Sequence, residues 1–504
     1  MATLLAVTIG CAKVPPPATE PSPSAVNQEA TPPMFRDVTA ALGVNLAYHN
    51  GEEAGHYAIL EELGGGLAVL DFDGDGRLDL FVTGGGHFAG PDEKQIKGNP
   101  CKLYRNVRDA TAPAGFRFED VTAQTGLDRI DFYTHGAAVS DFDNDGWPDL
   151  LVTGWGRLAL FHNEPVDPND SAKGRKFVDV TKRAGLPSGL WTTSAVWGDL
   201  DGDGYADLYV CQYVDWSFEH NHPTDCSLDG GTTRDVCSPK QFTGLEHRLF
   251  RNRGNGTFED VSKAAGLRVA RTEAEYKQLD WLNAKARERL RQAVTETDTK
   301  FGKGLGVLFV DVNGDGKPDI YVANDMVDKF LYINRSIKGK LRFEELAQVA
   351  GVALDDHGLA NASMGLDAAD YNGSGRASLW VTNYVGELHA LYRNECQTGY
   401  GQQTLAEHAE TAPERVFFFH ASESSGIAAV GRKTSGWGTG FLDLDHHGWE
   451  DIFLTAGDAY RHQPGIPRAQ NPILFRNLGG GRFKDISALG GPYFKTGHMG
   501  RGVV

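Results

Sequence analysis

The chain of 504 residues is long enough for two or three ordinary domains or for one large repeat array. Its 23% charged and 40% hydrophobic residues supply a real core and too little charge for a disordered chain, and 62 glycines point to many tight turns. A formal net charge of −18 leaves no surplus of Lys and Arg to displace counterions from phosphate, which excludes nucleic acid as a partner.

In chain order, residues 1–11 read as a targeting segment: a small, apolar run ends in Thr8-Ile9-Gly10-Cys11 and is similar to a bacterial lipoprotein signal, with Cys11 the candidate for lipidation. Residues 12–33 are rich in Pro, Ala, Ser and Thr and are expected to form an extended tether. This layout predicts an exported protein, periplasmic, anchored to the outer membrane or at the cell surface, touching membrane only through the lipid. No later segment holds the roughly 20 apolar residues that a membrane helix needs.

From residue 34 onward three patterns recur in fixed order. The first is a Phe followed eight residues later by Gly, beginning at Phe35, Phe118, Phe177, Phe258, Phe343, Phe418 and Phe483. The second is a strand of small residues running into an Asp-rich loop and out into an apolar strand, as in GLAVLDFDGDGRLDLFVT. The third is Leu-aromatic-x-Asn, ending at Asn106, Asn163, Asn252, Asn334, Asn394 and Asn477. The loops begin at Asp71, Asp141, Asp199, Asp311, Asp370 and Asp443, so the basic unit is about 58 residues plus insertions. Each unit carries short runs of Val, Leu, Phe and Tyr between Gly and Asn turns, which reads as three or four antiparallel strands. Such a sheet cannot bury both faces alone, and radial stacking covers them, so residues 34–504 are expected to be an all-β propeller. A linear β-solenoid is the alternative and would favour shorter, more uniform repeats.

Two insertions interrupt the array. The loop at about 215–241 contains Cys226 and Cys237, the candidate disulfide in an exported chain; Cys101, Cys211 and Cys396 form an odd remainder. The stretch at about 271–297 includes EAEYKQLDWLNAKARERLRQAV, has no Gly or Pro, and predicts a surface helix that decorates the fold.

The loops carry the chemistry. Asp71, Asp73, Asp75 and Asp79 stand at loop positions 1, 3, 5 and 9, and repel one another unless a cation sits between them. Calcium takes six to eight oxygen ligands in a flexible cage, with Gly76 allowing the turn and the carbonyl of Arg77 adding an oxygen. Zinc would want His or Cys, and magnesium keeps several waters. The same cage recurs as Asp141, Asp143, Asp145 and Asp149 with the carbonyl of Trp147. It recurs again as Asp199, Asp201, Asp203 and Asp207 with that of Tyr205, and as Asp311, Asn313, Asp315 and Asp319 with that of Lys317. The fifth copy, Asp370, Asn372, Ser374 and Ser378, has lost most of its charge and is expected to bind nothing. The sixth, Asp443, Asp445, His447 and Asp451, is expected to bind weakly or to have its turn capped by His447. About four Ca²⁺ sites, with a weaker fifth, are therefore expected. An EF-hand would close with Glu at position 12, where this chain has Val82, Val152, Val210, Val322, Val381 and Leu454.

DFDGDGRLDLFVT, DFDNDGWPDLLVT and the LYRN and Phe-x-Asp-Val-Thr frame resemble the FG-GAP/VCBS repeat family, which includes the integrin α-chain propeller. The likeness is greatest to the group related to cartilage acidic protein 1, bacterial members of which often end in an ASPIC/UnbV domain. The resemblance implies a seven-bladed propeller with calcium in hairpins on one face. Because the last Phe-led segment stops at GHMGRGVV, the seventh blade is expected to be incomplete.

Two functions are open at this point. A cell-surface or extracellular binding and adhesion module would use calcium structurally and meet a protein or glycan ligand. A calcium-dependent polysaccharide lyase or hydrolase would need a catalytic group, and the chain shows no nucleophile elbow, HExxH or phosphate loop. His135, His220, His222, His357 and His498 are scattered, and Trp191, Trp197, Trp216 and Trp437 are expected to pack between blades rather than stack on sugars.

Overall fold

Runs of Val, Leu, Phe and Tyr between Gly- and Asp-rich turns form strands of three to eight residues in the computed structural model, which describes residues 33–170, 173–189, 191–270, 272–295, 301–396 and 416–504. The predicted signal at 1–11, Cys11 and all but the last residue of the 12–33 tether lie outside the described residues.

The strands build six four-stranded antiparallel sheets, each a meander in chain order. Blade 1 comprises Leu67–Leu70, Asp79–Val82, Lys102–Arg108 and Phe116–Asp120, and blade 2 Thr134–Ser140, Asp149–Gly154, Leu158–Pro165 and Arg175–Asp179. Blade 3 is Thr192–Gly198, Asp207–Gln212, Arg248–Asn252 and Phe258–Asp260; blade 4 is Gly304–Val310, Asp319–Asn324, Phe330–Asn334 and Phe343–Glu345. Blade 5 is Leu366–Ala369, Ser378–Val381, Ala390–Asn394 and Phe418–His420, and blade 6 is Gly436–Leu442, Asp451–Ala456, Ile473–Asn477 and Phe483–Asp485.

The propeller therefore has six blades, not the seven expected. The expectation came from the family resemblance, which the seven Phe-led segments fitted, whereas the sheets follow the six acidic hairpins. Six of the Phe-led segments are the outermost strands of the six sheets. The first, at Phe35, joins no sheet. Its backbone runs along the turn after blade 6, with Met34 N–H donating to Leu489 O (3.2 Å) and Phe35 N–H to Gly490 O (3.1 Å). Residues 500–503 pass between the inner strands of blades 6 and 1: Gly438 N–H donates to Arg501 O (2.6 Å) and Gly500 N–H to Ala456 O (2.9 Å), and Gly502 lies against Leu67.

The core lies between blades. Leu70, Phe81 and Leu103 of blade 1 meet Leu150, Val152 and Phe161 of blade 2. Leu151, Leu158 and Leu160 then meet Leu208, Val210 and Phe250 of blade 3, and the alternation continues around the ring. Each such side chain contributes about 1.5–3 kcal/mol when fully buried. The innermost strands carry small residues because their backbones converge on a central channel of about 290 Å³, lined by Gly66, Gly136, Ser194, Gly306, Gly365 and Gly438 among others. A Cβ at Gly306 would stand 2.7 Å from Met364 O and one at Gly136 2.8 Å from Thr193 O, so a side chain there would force neighbouring blades apart.

The third sequence pattern is an inter-blade staple. Asn252 Nδ2 donates to Ala206 O in its own blade (3.0 Å) and to Phe142 O in the preceding one (2.7 Å). Asn163, Asn334, Asn394 and Asn477 repeat this pair of bonds. Cys226 and Cys237 are joined in a disulfide with Cα atoms 5.1 Å apart, and Cys101, Cys211 and Cys396 are buried. The second insertion is two helices, α1 (Glu273–Lys277) and α2 (Ala284–Thr295), rather than one. Asn283 Oδ1 accepts from Ala286 N–H and starts α2 afresh. Tyr276, Leu279, Leu282, Ala286 and Leu290 bury a small core of their own. No helix among the described residues is long and apolar enough to cross a membrane.

Replacing Asn252 by Ala strands two buried carbonyls and should lower stability by about 1–3 kcal/mol. Asn106→Ala should cost less, because Asn106 Nδ2 reaches only Leu78 O in its own blade. Urea titration of both variants checks this; equal losses would remove the staple role.

Candidate metal centres in the acidic hairpins

Each acidic loop joins the innermost strand of a blade to the second, so all six lie on one face of the disc. Their shared form comes from two carboxylates. The position-1 Asp accepts from the N–H groups of residues 5 and 6: Asp71 Oδ1 from Asp75 (3.0 Å) and Oδ2 from Gly76 (2.8 Å). Asp141, Asp199, Asp311, Asp370 and Asp443 do the same. Position 6 is Gly in all six loops, with φ between 78° and 95°, a region that side chains disfavour.

The position-9 Asp closes the other end. Asp319 Oδ2 accepts from Val312 N–H (3.0 Å) and Oδ1 from Asn334 N–H (2.7 Å), linking the loop to the third strand. Asp79, Asp149, Asp207 and Asp451 make the same two bonds, and Ser378 Oγ supplies the bond to Asn394 N–H in the fifth loop (3.1 Å). These carboxylates are buried. Burial pushes Asp79 up to about 6 and Asp207 and Asp319 up to about 7, against the lowering effect of their backbone hydrogen bonds; Asp149 is raised for the same reason.

Positions 3 and 5 differ in environment. Asp73 Oδ2 is 2.5 Å from the Arg105 guanidinium, and Asp75 pairs with Arg77. Arg251 reaches Asp201 (2.9 Å) and Asp203 (2.6 Å). His162 Nε2 stands 3.1 Å from Asp143, and Arg476 is 2.6 Å from Asp445. Sequence reasoning missed these partners. The signal was present: the x of Leu-aromatic-x-Asn is Arg105, His162, Arg251, Arg393 or Arg476 in five of six copies, at one register opposite the loop. The position-7 residues turn their side chains to the third strand or beyond, Arg77 Nε donating to Asn106 O and Lys317 Nζ to Ser336 O. Their N–H groups donate to the position-5 carboxylate, as from Trp147 to Asp145 (2.9 Å) and Tyr205 to Asp203 (3.0 Å).

The donor set suits a hard cation. Ligand atoms of Asp71, Asp73 and Asp79 lie within 4.8 Å of one another, as do those of Asp141, Asp143 and Asp149 and of Asp443, Asp445, His447 and Asp451. Asp73 Oδ1 and Asp143 Oδ1 are buried with no hydrogen-bond partner among the described residues, the condition a bound ion would relieve. In the sixth loop His447 Nδ1 is 2.9 Å from both Asp443 and Asp445, and its Nε2–H donates to Asn477 O (2.8 Å), so the imidazole caps that turn.

The FG-GAP-like repeat profile matches residues 71–152, 141–210 and 311–381, which span the four strong hairpins. The chain carries FG-GAP-like repeats. It is also similar to cartilage acidic protein 1, at 24% identity over 423 residues in Xenopus tropicalis (76% of this chain, 57% of that protein) and 26% over 420 residues in Mus musculus (80% and 51%). The chain thus spans about half the length of the curated relatives it matches. Among solved structures, an Agrocybe aegerita lectin that recognises non-reducing terminal N-acetylglucosamine aligns over 84% of this chain and 79% of its own at 13% identity, with a TM-score of 0.37, too little overlap to carry an argument. Among the described residues there is no catalytic constellation. His135 is walled in between Gly64 O and the Trp191 indole N–H, and Trp191, Trp216 and Trp437 are buried.

Asp319→Ala leaves two buried N–H groups unpaired and should cost about 2–5 kcal/mol, while Asp319→Asn, which keeps one acceptor, should cost about half of that. Asp145→Ala, at a position open to water, should change stability by less than about 1 kcal/mol in chelator. Thermal melts of the three variants decide; similar losses for Asp145→Ala and Asp319→Ala would contradict the division of roles.

Proposed function

We propose that this chain is an exported calcium-binding propeller that serves as a cell-surface or extracellular binding and adhesion module, with calcium structural. The observation that carries the reading is the recurrence in sequence of one all-oxygen donor set in four hairpins, two of which bring their carboxylates together around an unpartnered buried oxygen. Calcium would be held by Asp71, Asp73, Asp75 and Asp79 with the Arg77 carbonyl, and by the corresponding residues of the Asp141, Asp199 and Asp311 loops. The Asp443 loop would be a fifth, weaker position. The ion supplies charge neutralisation and a rigid turn. It would compete with Arg105 and Arg251 for the carboxylates at positions 3 and 5, so those side chains should move toward solvent on binding.

Similarity to the cartilage acidic proteins and the disulfide in a long loop support an extracytoplasmic setting. Attachment through Cys11 would keep the disc at a membrane surface. A surface protein or a glycan is the partner class that a rigid disc with loop-bearing faces would serve.

Each site held at 100 times its Kd adds about 2.7 kcal/mol, so millimolar calcium should raise Tm by on the order of 10 °C over chelator. Melting followed by circular dichroism reads this directly. Equal melting temperatures would refute the structural role of calcium.

A further inference from the structure

On the face opposite the hairpins, connections between second and third strands fold over the channel mouth as an aromatic cap that includes Phe88, Tyr213, Trp216 and Tyr460, joined by Trp191 just before the first strand of blade 3. Beneath it lie four acids from distant parts of the chain. Glu62 precedes the first inner strand, Asp235 sits in the disulfide loop, Asp325 follows the second strand of blade 4 and Asp458 the second strand of blade 6. They are 5%, 2%, 5% and 0% exposed. The carboxylate of Glu62 is within electrostatic reach of the other three.

Their partners are unequal. Asp235 is satisfied by the N–H groups of Val236, Arg461 and His462. Asp325 Oδ2 accepts from the Tyr213 hydroxyl (2.6 Å), and Asp458 Oδ1 accepts from the Tyr384 hydroxyl (2.8 Å) and Tyr460 N–H (2.9 Å). Glu62 Oε1 and Asp458 Oδ2 have no partner among the described residues. Neighbouring acids do not share this deficit: Glu61 pairs with Arg461, Glu52 with Arg468, and Glu387 faces Lys329. Two cations stand nearby, Lys303 buried and Arg501 half-buried. Arg501 spends its donors on the carbonyls of Glu62, Gly457, Asp458 and Gly500, and Lys303 Nζ donates to Pro239 O (2.6 Å) while facing Asp325. Four carboxylates against two cations leave two negative charges unmatched in a region shielded from water, a costly arrangement unless protons or a cation neutralise it.

We propose that Glu62, Asp325 and Asp458 form an axial site for one hard divalent cation, held by carboxylate oxygens beneath the aromatic cap and separate from the hairpins. The ion completes the charge balance, occupies the two unpartnered oxygens and ties the segment before blade 1 to blades 4 and 6. The burial of every ligand admits a bare ion and excludes an organic cation, and the all-oxygen donor set selects the calcium and magnesium class over zinc.

The test is calcium stoichiometry of the full chain by equilibrium dialysis with elemental analysis, comparing the parent protein, a Glu62→Gln/Asp458→Asn double variant and an Asp311→Asn/Asp319→Asn hairpin variant. Far-UV circular dichroism and protease resistance establish that each is folded. The axial variant should bind one equivalent less and keep the hairpin equivalents, and the hairpin variant should lose its own equivalent independently. A folded axial variant that retains the full count would overturn the proposal and assign protons to these acids. A loss in the axial variant alone would sustain it while the hairpin reading failed. Should the double variant not fold, the near-ultraviolet tyrosine difference spectrum on adding calcium serves instead. Tyr213→Phe/Tyr384→Phe should abolish its main band, and an unchanged band would overturn the axial site.

Discussion

The ring depends on one repeated interaction, the buried position-9 carboxylate that accepts a backbone N–H from its own loop and another from the third strand. A tight turn between strands exposes N–H groups that the sheet ladder cannot reach, and leaving them unpaired inside a packed blade costs about 1–3 kcal/mol each. Asp79, Asp149, Asp207, Asp319 and Asp451 solve that locally. The same carboxylate fixes the register of the third strand near its end, because the N–H it binds there belongs to the very Asn whose side chain reaches the preceding blade. Loop closure, strand register and blade-to-blade stapling are thus one device. The fifth hairpin keeps the bond to the third strand with Ser378, so that half of the clasp outlasts the charge.

Much of this was legible in the residues. Position 9 stood out because Asp recurred there, position 6 because Gly did, and Asn of the third pattern because it closed every Leu-aromatic-x-Asn run. The blade count was carried over from the family resemblance, and Phe35 fitted it because it carries the same signature as the Phe-led outer strands; that signature encodes packing under a neighbouring Gly, and Phe35 makes that contact with Gly491 without belonging to a sheet. Helix propensity favoured one helix over 271–297, but Asn283 prefers a cap to a helix interior and Leu279 and Leu282 turn inward between the two pieces. The axial acids were out of reach, because Glu62, Asp235, Asp325 and Asp458 lie in unrelated local contexts and are neighbours only through ring topology.

The acidity of the chain is therefore sorted by face. On one side Asp residues are concentrated in hairpins, partly screened by Arg105, His162, Arg251 and Arg476 from the third strands. On the other, carboxylates are sealed beneath aromatic side chains. Both arrangements put negative charge where chain connections converge, and the two faces are joined by inner strands with small side chains, so a change in one set of loops is transmitted through rigid, short strands rather than through a deformable core.

The most direct measurement of the central claim is hydrogen exchange, read residue by residue, at the amides of Phe142, Asn163, Leu200, Asn252, Val312 and Asn334, all bonded to position-9 carboxylates. If these bonds hold the ring, the six amides should exchange as slowly as those in the middle of the second strands, and only through opening of a whole blade. Fast exchange at these positions while the strand amides stay protected would show that the clasps open on their own and that the blades stand without them.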